Sequence, residues 1–154
     1  DVPFDFSRPT ASLRRTATWP QPLGPGHHYA DIWKDCYDIC GVDYTSSLDE
    51  QFSAQDWRRY LYFNASFFFY ESPTKFGARF LEFAQRIKNS TRPRITRQSL
   101  DPWLDQVVLP MVIHSFGGGE DTHLLGDGWT QRPAVIIVGY PFFTPEKMIE
   151  SSQH

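Results

Sequence analysis

Nowhere in the 154-residue chain do eighteen apolar residues follow one another, so no segment has the length and apolarity of a membrane-spanning helix. Cysteine is scarce, with only Cys36 and Cys40, which excludes a disulfide framework. An excess of positive charge is also missing. The formal net charge is −3 and the isoelectric point is near 5.9, unlike proteins that coat nucleic acid. The glycines form no G-x-S-x-G elbow and are followed by no Lys-Ser/Thr pair, so neither a serine-hydrolase nor a P-loop signature is present. There is no internal repeat and no low-complexity tract. The sequence opens on Asp1 without an initiator methionine or a signal-peptide pattern. It therefore reads as a processed mature form of a protein that does not cross a membrane.

What the chain has is aromatic mass, 16% Phe, Trp and Tyr, concentrated from Ser53 to Asn89. Trp57, Tyr60, Leu61, Asn64, Phe67 and Phe68 follow a plausible N-cap at Ser53 with helical spacing. Tyr62, Phe63, Phe69 and Tyr70 make the other face equally apolar, which predicts a helix buried all round. Eleven such residues reach about 16 Å, too short to span a bilayer. A second helix opens at Ser72-Pro73 and places Phe76, Phe80, Phe83, Ala84 and Ile87 on one face. Tyr29 to Cys40 reads as a shorter helix with Ile32, Trp33, Cys36, Tyr37 and Cys40 inward and Asp31, Lys34, Asp35 and Asp38 outward, ended by Gly41. Val42 to Gln51 is a loop with Tyr44 and Leu48 as anchors, and Asn89 to Gln98 is a basic loop. Asp101-Pro102 starts another helix, which Pro110 should kink or end before Ile113.

Residues 1–26 hold five of the twelve prolines and show no period, which predicts an extended arm, pinned onto something if it is ordered. Residues 27–154 then form one small domain: a helical core over about 53–115, a glycine-rich acidic loop at 116–129, a strand at about 134–139 and a short helical tail. The expected fold class is mainly α, turning α+β at the C-terminal end.

Three groups of residues are candidates for chemistry. His28, Cys36 and Cys40, with His27 beside them, are the soft metal ligands, but His-His-x7-Cys-x3-Cys is not a zinc spacing, and buried apolar cysteines are the expectation. His114, Ser115 and the glycine loop with Glu120, Asp121, His123 and Asp127 contain the letters of a hydrolase triad or an anion loop without its spacing. Lys75, Arg79, Arg86, Lys88, Arg92, Arg94 and Arg97 give seven cations against one acid, Glu82, so the rest of the chain sums to about −9. These cations are a candidate docking surface for acidic protein or anionic lipid headgroups. Base stacking is not expected, because Phe76, Phe80 and Phe83 lie on the opposite helix face.

The composite expectation is a non-catalytic scaffold subunit, without cofactor, metal or nucleic acid. Its setting would be a large eukaryotic assembly, a mitochondrial and peripherally membrane-associated respiratory or ATP-synthase-type complex, with other subunits as partners. Trp19, Trp33, Trp57 and Trp103 would anchor partners or its own core. The competing expectation is a self-sufficient small α+β enzyme or ligand-binding domain with its site at His114 to Asp127.

Overall fold

The computed structural model of the chain describes residues 10–13, 19–21, 23–25, 28–69 and 73–118. These residues are mainly helical. In chain order they form β1 (Thr10–Leu13), α1 (Tyr29–Cys40), β2 (Phe63–Phe69), α2 (Pro73–Lys88), the single-turn α3 (Pro93–Thr96) and α4 (Leu104–Ser115), with 3-10 turns at Thr45–Ser47 and Trp57–Arg59. The expected strand at 134–139, the helical tail and the glycine-rich loop beyond Gly118 lie outside the described residues.

Helix α1 matches its sequence pattern: Ile32, Trp33, Cys36, Tyr37 and Cys40 are buried. Gly41 then takes φ 71° and its N–H returns to the Tyr37 and Asp38 carbonyls, which closes the helix with the one residue type that adopts this backbone without strain. Helix α2 likewise buries Phe76, Phe83 and Ile87, a stripe at helical spacing.

At the centre is α4, which packs on α2 and on β2. All seven residues from Val107 to Ile113 are buried, and each large aliphatic side chain so enclosed stabilises the fold by about 1.5–3 kcal/mol. That packing explains why the helix runs through Pro110 to Ser115, where the sequence suggested a kink or an end. A lost backbone hydrogen bond is outweighed when every face of the helix is in the core. The start is also later than expected. Asp101–Pro102 is a cis peptide and Trp103 precedes the first helical residue.

The largest departure concerns Trp57 to Tyr70, expected as a buried helix. Only Trp57–Arg59 forms a 3-10 turn, and Phe63–Phe69 is a strand. When nearly every residue is apolar, helical spacing is satisfied in any phase and stops discriminating. Aromatic side chains then favour the pleated surface, provided a partner strand exists. The partner is β1, antiparallel, with Leu13 opposite Phe63, Ser12 opposite Asn64, Thr10 opposite Phe69 and a register shift between Ala11 and Ser12.

The same pairing gives the arm at residues 1–26 a strand, Thr10–Leu13, for which the sequence showed no period. Parts of that arm are fastened to the chain's own body. Trp19 is 2% exposed and meets Trp33 edge-on at 4.9 Å. The Gln21 backbone N–H donates to Gln98 Oε1 at 2.7 Å, and Gln98 Nε2 donates back to the Gln21 carbonyl at 2.9 Å. Two further local corrections follow. The basic loop after Asn89 contains α3, whose Ile95 is buried. Asp35, expected outward, is only 6% exposed, because α3 lies against α1 and brings cations to it.

Among the described residues no helix is long and apolar enough to cross a membrane.

Candidate functional site

The chain turns back after Gly41 and lays Asp43–Leu48 beside the C-terminal turn of α4. The Asp43 carboxylate accepts the Thr45 N–H at 3.0 Å and the Ser46 N–H at 3.4 Å, an Asx-type turn that fixes the loop locally. Ser46 Oγ then lies 2.8 Å from Nε2 of His114. The imidazole meets Tyr37 edge-on at 6.2 Å, Tyr37 meets Tyr44 at 5.7 Å, and Tyr44 stacks on Tyr60 at 6.5 Å. Burial, above all, pushes the Tyr37 and Tyr44 hydroxyls far above the ordinary phenol range.

His114 Nδ1 is buried and has no hydrogen-bond partner among the described residues. The ring's Nε2 faces the Ser46 hydroxyl, which can donate or accept. The Asp43 carboxyl is held below its ordinary range, first by hydrogen bonding from Ser46 and then by the Thr45 N–H. In a hydrolase triad the second imidazole nitrogen leans on an acid; among the described residues no acid is hydrogen-bonded to His114 Nδ1. Ser46, His114 and Asp43 therefore form a clip between a loop and α4. Ser115, the hydroxyl expected beside His114, instead donates to the Val112 carbonyl at 2.8 Å. His123 and Asp127 lie outside the described residues, as do Glu120 and Asp121.

A second constellation, unmarked in the sequence reading, lies at residues 53–58. The Ser53 carbonyl accepts the Asp56 N–H at 2.9 Å, and Asp56 caps the Trp57–Arg59 turn through the Arg58 N–H at 2.9 Å. Asp56 also receives Arg58 Nε at 3.0 Å and Nη2 at 2.5 Å, while the guanidinium carbon sits 4.4 Å above the centre of the Phe52 ring. This clasp lowers the Asp56 carboxyl and raises the Arg58 guanidinium, in each case first through their hydrogen bond. The Arg59 guanidinium donates to the Phe52 carbonyl at 2.6 Å and the Tyr60 hydroxyl to the Ala54 carbonyl at 2.7 Å. The loop thus held borders an open concavity of about 590 Å³ lined by Ser53, Gln55, Asp56, Trp57 and Arg58. The only sequence signal was an acid and a cation flanking a tryptophan in a polar stretch, which had been assigned to a helix start.

The seven cations from Lys75 to Arg97 differ in what they touch. Arg92 and Arg94 converge on Asp35, with Nη1 of Arg92 and Nε of Arg94 each 2.8 Å from a carboxylate oxygen. Arg86 pairs with Glu82 at 2.6 Å and reaches the Cys40 carbonyl at 3.4 Å. Arg79 lies 5.6 Å from the Phe83 ring and 5.1 Å from that of Phe116. Lys75, Lys88 and Arg97 are exposed.

Cys36 and Cys40 are free and buried in the core. Burial pushes the Cys40 thiol up to about 12 and the Cys36 thiol well above its ordinary value, which favours the neutral thiol. His28 is exposed one residue before α1. Among the described residues no three metal-ligating side chains converge.

Comparison with known proteins gives one finding of kinship. A family described as the Rhodobacterales glycosyltransferase domain matches residues 1–117. No curated protein and no solved structure matches the chain. The family takes its name from an order of bacteria, which overturns the expectation of a eukaryotic mitochondrial subunit of a respiratory or ATP-synthase-type complex, and with it the mitochondrial location. The features behind that expectation have other sources: the ordered arm is held by the chain's own Trp33 and Gln98, and the all-apolar segment is a strand paired within the chain. With three-quarters of its length matched, this chain belongs to the Rhodobacterales glycosyltransferase domain family.

Proposed function

We propose that the chain is part of an enzyme that transfers a sugar from an activated donor to an acceptor hydroxyl. The observation that carries this reading is the family match over residues 1–117. In such a transfer the acceptor oxygen forms a bond to the anomeric carbon, the bond to the donor's leaving group breaks, and the acceptor proton passes to a base. The protein must hold two polyhydroxylated partners in register and exclude water from the reacting carbon. The Trp57 concavity supports the reading, since an indole bordered by a fixed carboxylate, a guanidinium and neutral polar groups suits a ligand with one apolar face and a ring of hydroxyls.

The test is turnover by the purified protein with a panel of nucleotide-activated sugars, with magnesium or manganese and with chelator. Released nucleotide and the labelled sugar on the acceptor would both be measured. Release that depends on an added saccharide acceptor is the expected result. Absence of release and of transfer across the whole donor panel would overturn the proposal.

A further inference from the structure

We propose that the concavity at residues 53–58 is a subsite for one ring of a neutral saccharide, stacked on Trp57 and belonging to the acceptor. The choice of a saccharide among neutral polyols rests on the glycosyl-transfer reading; the location and the charge preference rest on geometry.

Trp57 is half-buried and lines an open concavity of about 590 Å³. The C–H face of a pyranose is apolar and slightly positive, and the face of an indole is apolar and negative, so the two attract without a hydrogen bond. Around the indole the polar groups divide into two sets. Asp56 and Arg58 are committed to each other by the bonds at 3.0 and 2.5 Å, leaving lone pairs and N–H groups at the periphery but no net charge. Ser53 and Gln55 contribute a hydroxyl and an amide, neutral groups that both donate and accept.

This balance decides the ligand class. A phosphate or nucleotide meets an Arg58 guanidinium whose charge Asp56 already matches, and the adjacent carboxylate repels it, so the pair offers an anion little net attraction. A sugar hydroxyl can instead donate to an outer lone pair of Asp56 and accept from an outer N–H of Arg58 without breaking the clasp. The subsite therefore fits the acceptor saccharide and not the activated donor. The clasp, the cap to the Arg58 N–H and the Phe52 ring beneath the guanidinium at 4.4 Å hold this geometry before any ligand arrives, which reduces the entropy lost on binding.

The experiment follows the indole N–H signals of the full chain in two-dimensional proton–nitrogen spectra, the Trp57 signal being assigned with Trp57→Phe. The probes are the methyl pyranosides of glucose, galactose and mannose, the disaccharides cellobiose and lactose, and inorganic phosphate. Saccharide is expected to move the Trp57 signal and phosphate to leave it in place. Trp57→Ala should weaken binding about tenfold or more, the loss of one aromatic anchor, and Trp57→Phe should retain part of it. Gln55→Ala, an exposed change that leaves the loop's backbone bonds intact, should weaken binding by less, with the rest of the spectrum unchanged. Three results would overturn the subsite: no movement of the Trp57 signal with any saccharide, saccharide binding unchanged in folded Trp57→Ala or in Gln55→Ala, or phosphate displacing the signal more than sugar does. Donor turnover without saccharide binding at Trp57 would sink the subsite and leave glycosyl transfer standing. Binding at Trp57 in a protein that fails the turnover test would do the reverse.

Discussion

Two carboxylate–arginine assemblies in this molecule use the same chemistry for opposite ends. Asp35 has a side chain only 9% exposed and gathers Arg92 and Arg94, which lie 57 and 59 residues away and are each 41% exposed. Asp56 pairs with Arg58 two residues on, with side chains 22% and 50% exposed. The first joins α1 to α3 and exists only when the chain is folded. The second forms within one turn, so its geometry depends little on the rest of the fold. Closure of a long loop on a buried carboxylate stabilises a fold, whereas a local exposed clasp orients polar groups toward solvent.

The sharpest way to break this contrast is Asp35→Ala. It leaves Arg94 without its carboxylate and Arg92 with Asp38 alone, and both guanidiniums already reach water, so the loss should be about 2 kcal/mol, below the 3–5 kcal/mol of a fully enclosed pair. Urea denaturation checks it, and a change no larger than that of an ordinary surface substitution would mean that the assembly does not hold α3 to α1.

A smaller effect separates the two arginines. Arg94 contacts both oxygens of Asp35, at 2.8 and 3.2 Å, while Arg92 divides itself between Asp35 and Asp38. Arg94→Ala should therefore cost more than Arg92→Ala, each on the order of 1 kcal/mol. A double-mutant cycle with Asp35 should give the larger coupling to Arg94, and the opposite ranking would contradict the bidentate geometry.

Smaller again is the acid limb. The Asp38 carboxyl is held below its ordinary value of 3.8, first by its hydrogen bond from Lys34, then by the Lys34 charge, with Arg92 adding to both effects. Because the folded value lies below the unfolded one, the stabilisation is fully present above about pH 4 to 5 and drains away as pH falls through the folded value. Asp43 and Asp56 shift in the same direction, and salt should screen the share of the exposed Asp43 most. The unfolding midpoint should be level near neutrality and decline below about pH 4, less steeply in Asp38→Asn than in the unaltered protein. An equally steep decline would remove Asp38 from the cause.

The smallest expected effect is that of Asp56→Asn or Arg58→Lys, which should leave the melting temperature unchanged within error. A destabilisation comparable with that of Asp35→Ala would erase the distinction between the two assemblies.

Legibility in the sequence followed the same line between local and long-range. Ile32, Trp33, Cys36, Tyr37 and Cys40 announced the inner face of α1 because polar residues on the other side gave their spacing a phase, and Gly41 marked the end for a steric reason. The phase of α2 was equally readable from Phe76, Phe83 and Ile87. In Phe63–Phe69 no such contrast existed, so periodicity was silent and the pairing with Thr10–Leu13 decided the conformation. Asp35 was assigned outward because its cations lie on a segment far along the chain. Of the candidate sites, His114 was noticed for its residue type, but its partner Ser46 stands 68 residues away. The Trp57 concavity was missed because it is made by the path of a loop, and no spacing encodes a path.

The sequence by itself determined a small, mainly helical, aromatic-rich fold with two free thiols in its core. Hydrophobic spacing and terminal residues act within a turn or two and need nothing from the rest of the chain. Tertiary structure alone decided that an apolar run becomes a strand, that α4 survives Pro110, that two arginines enclose Asp35, and that the Ser46 hydroxyl meets His114. Each of these depends on a partner tens of residues away, whose approach supplies the burial, the hydrogen bond or the charge that local preference lacks.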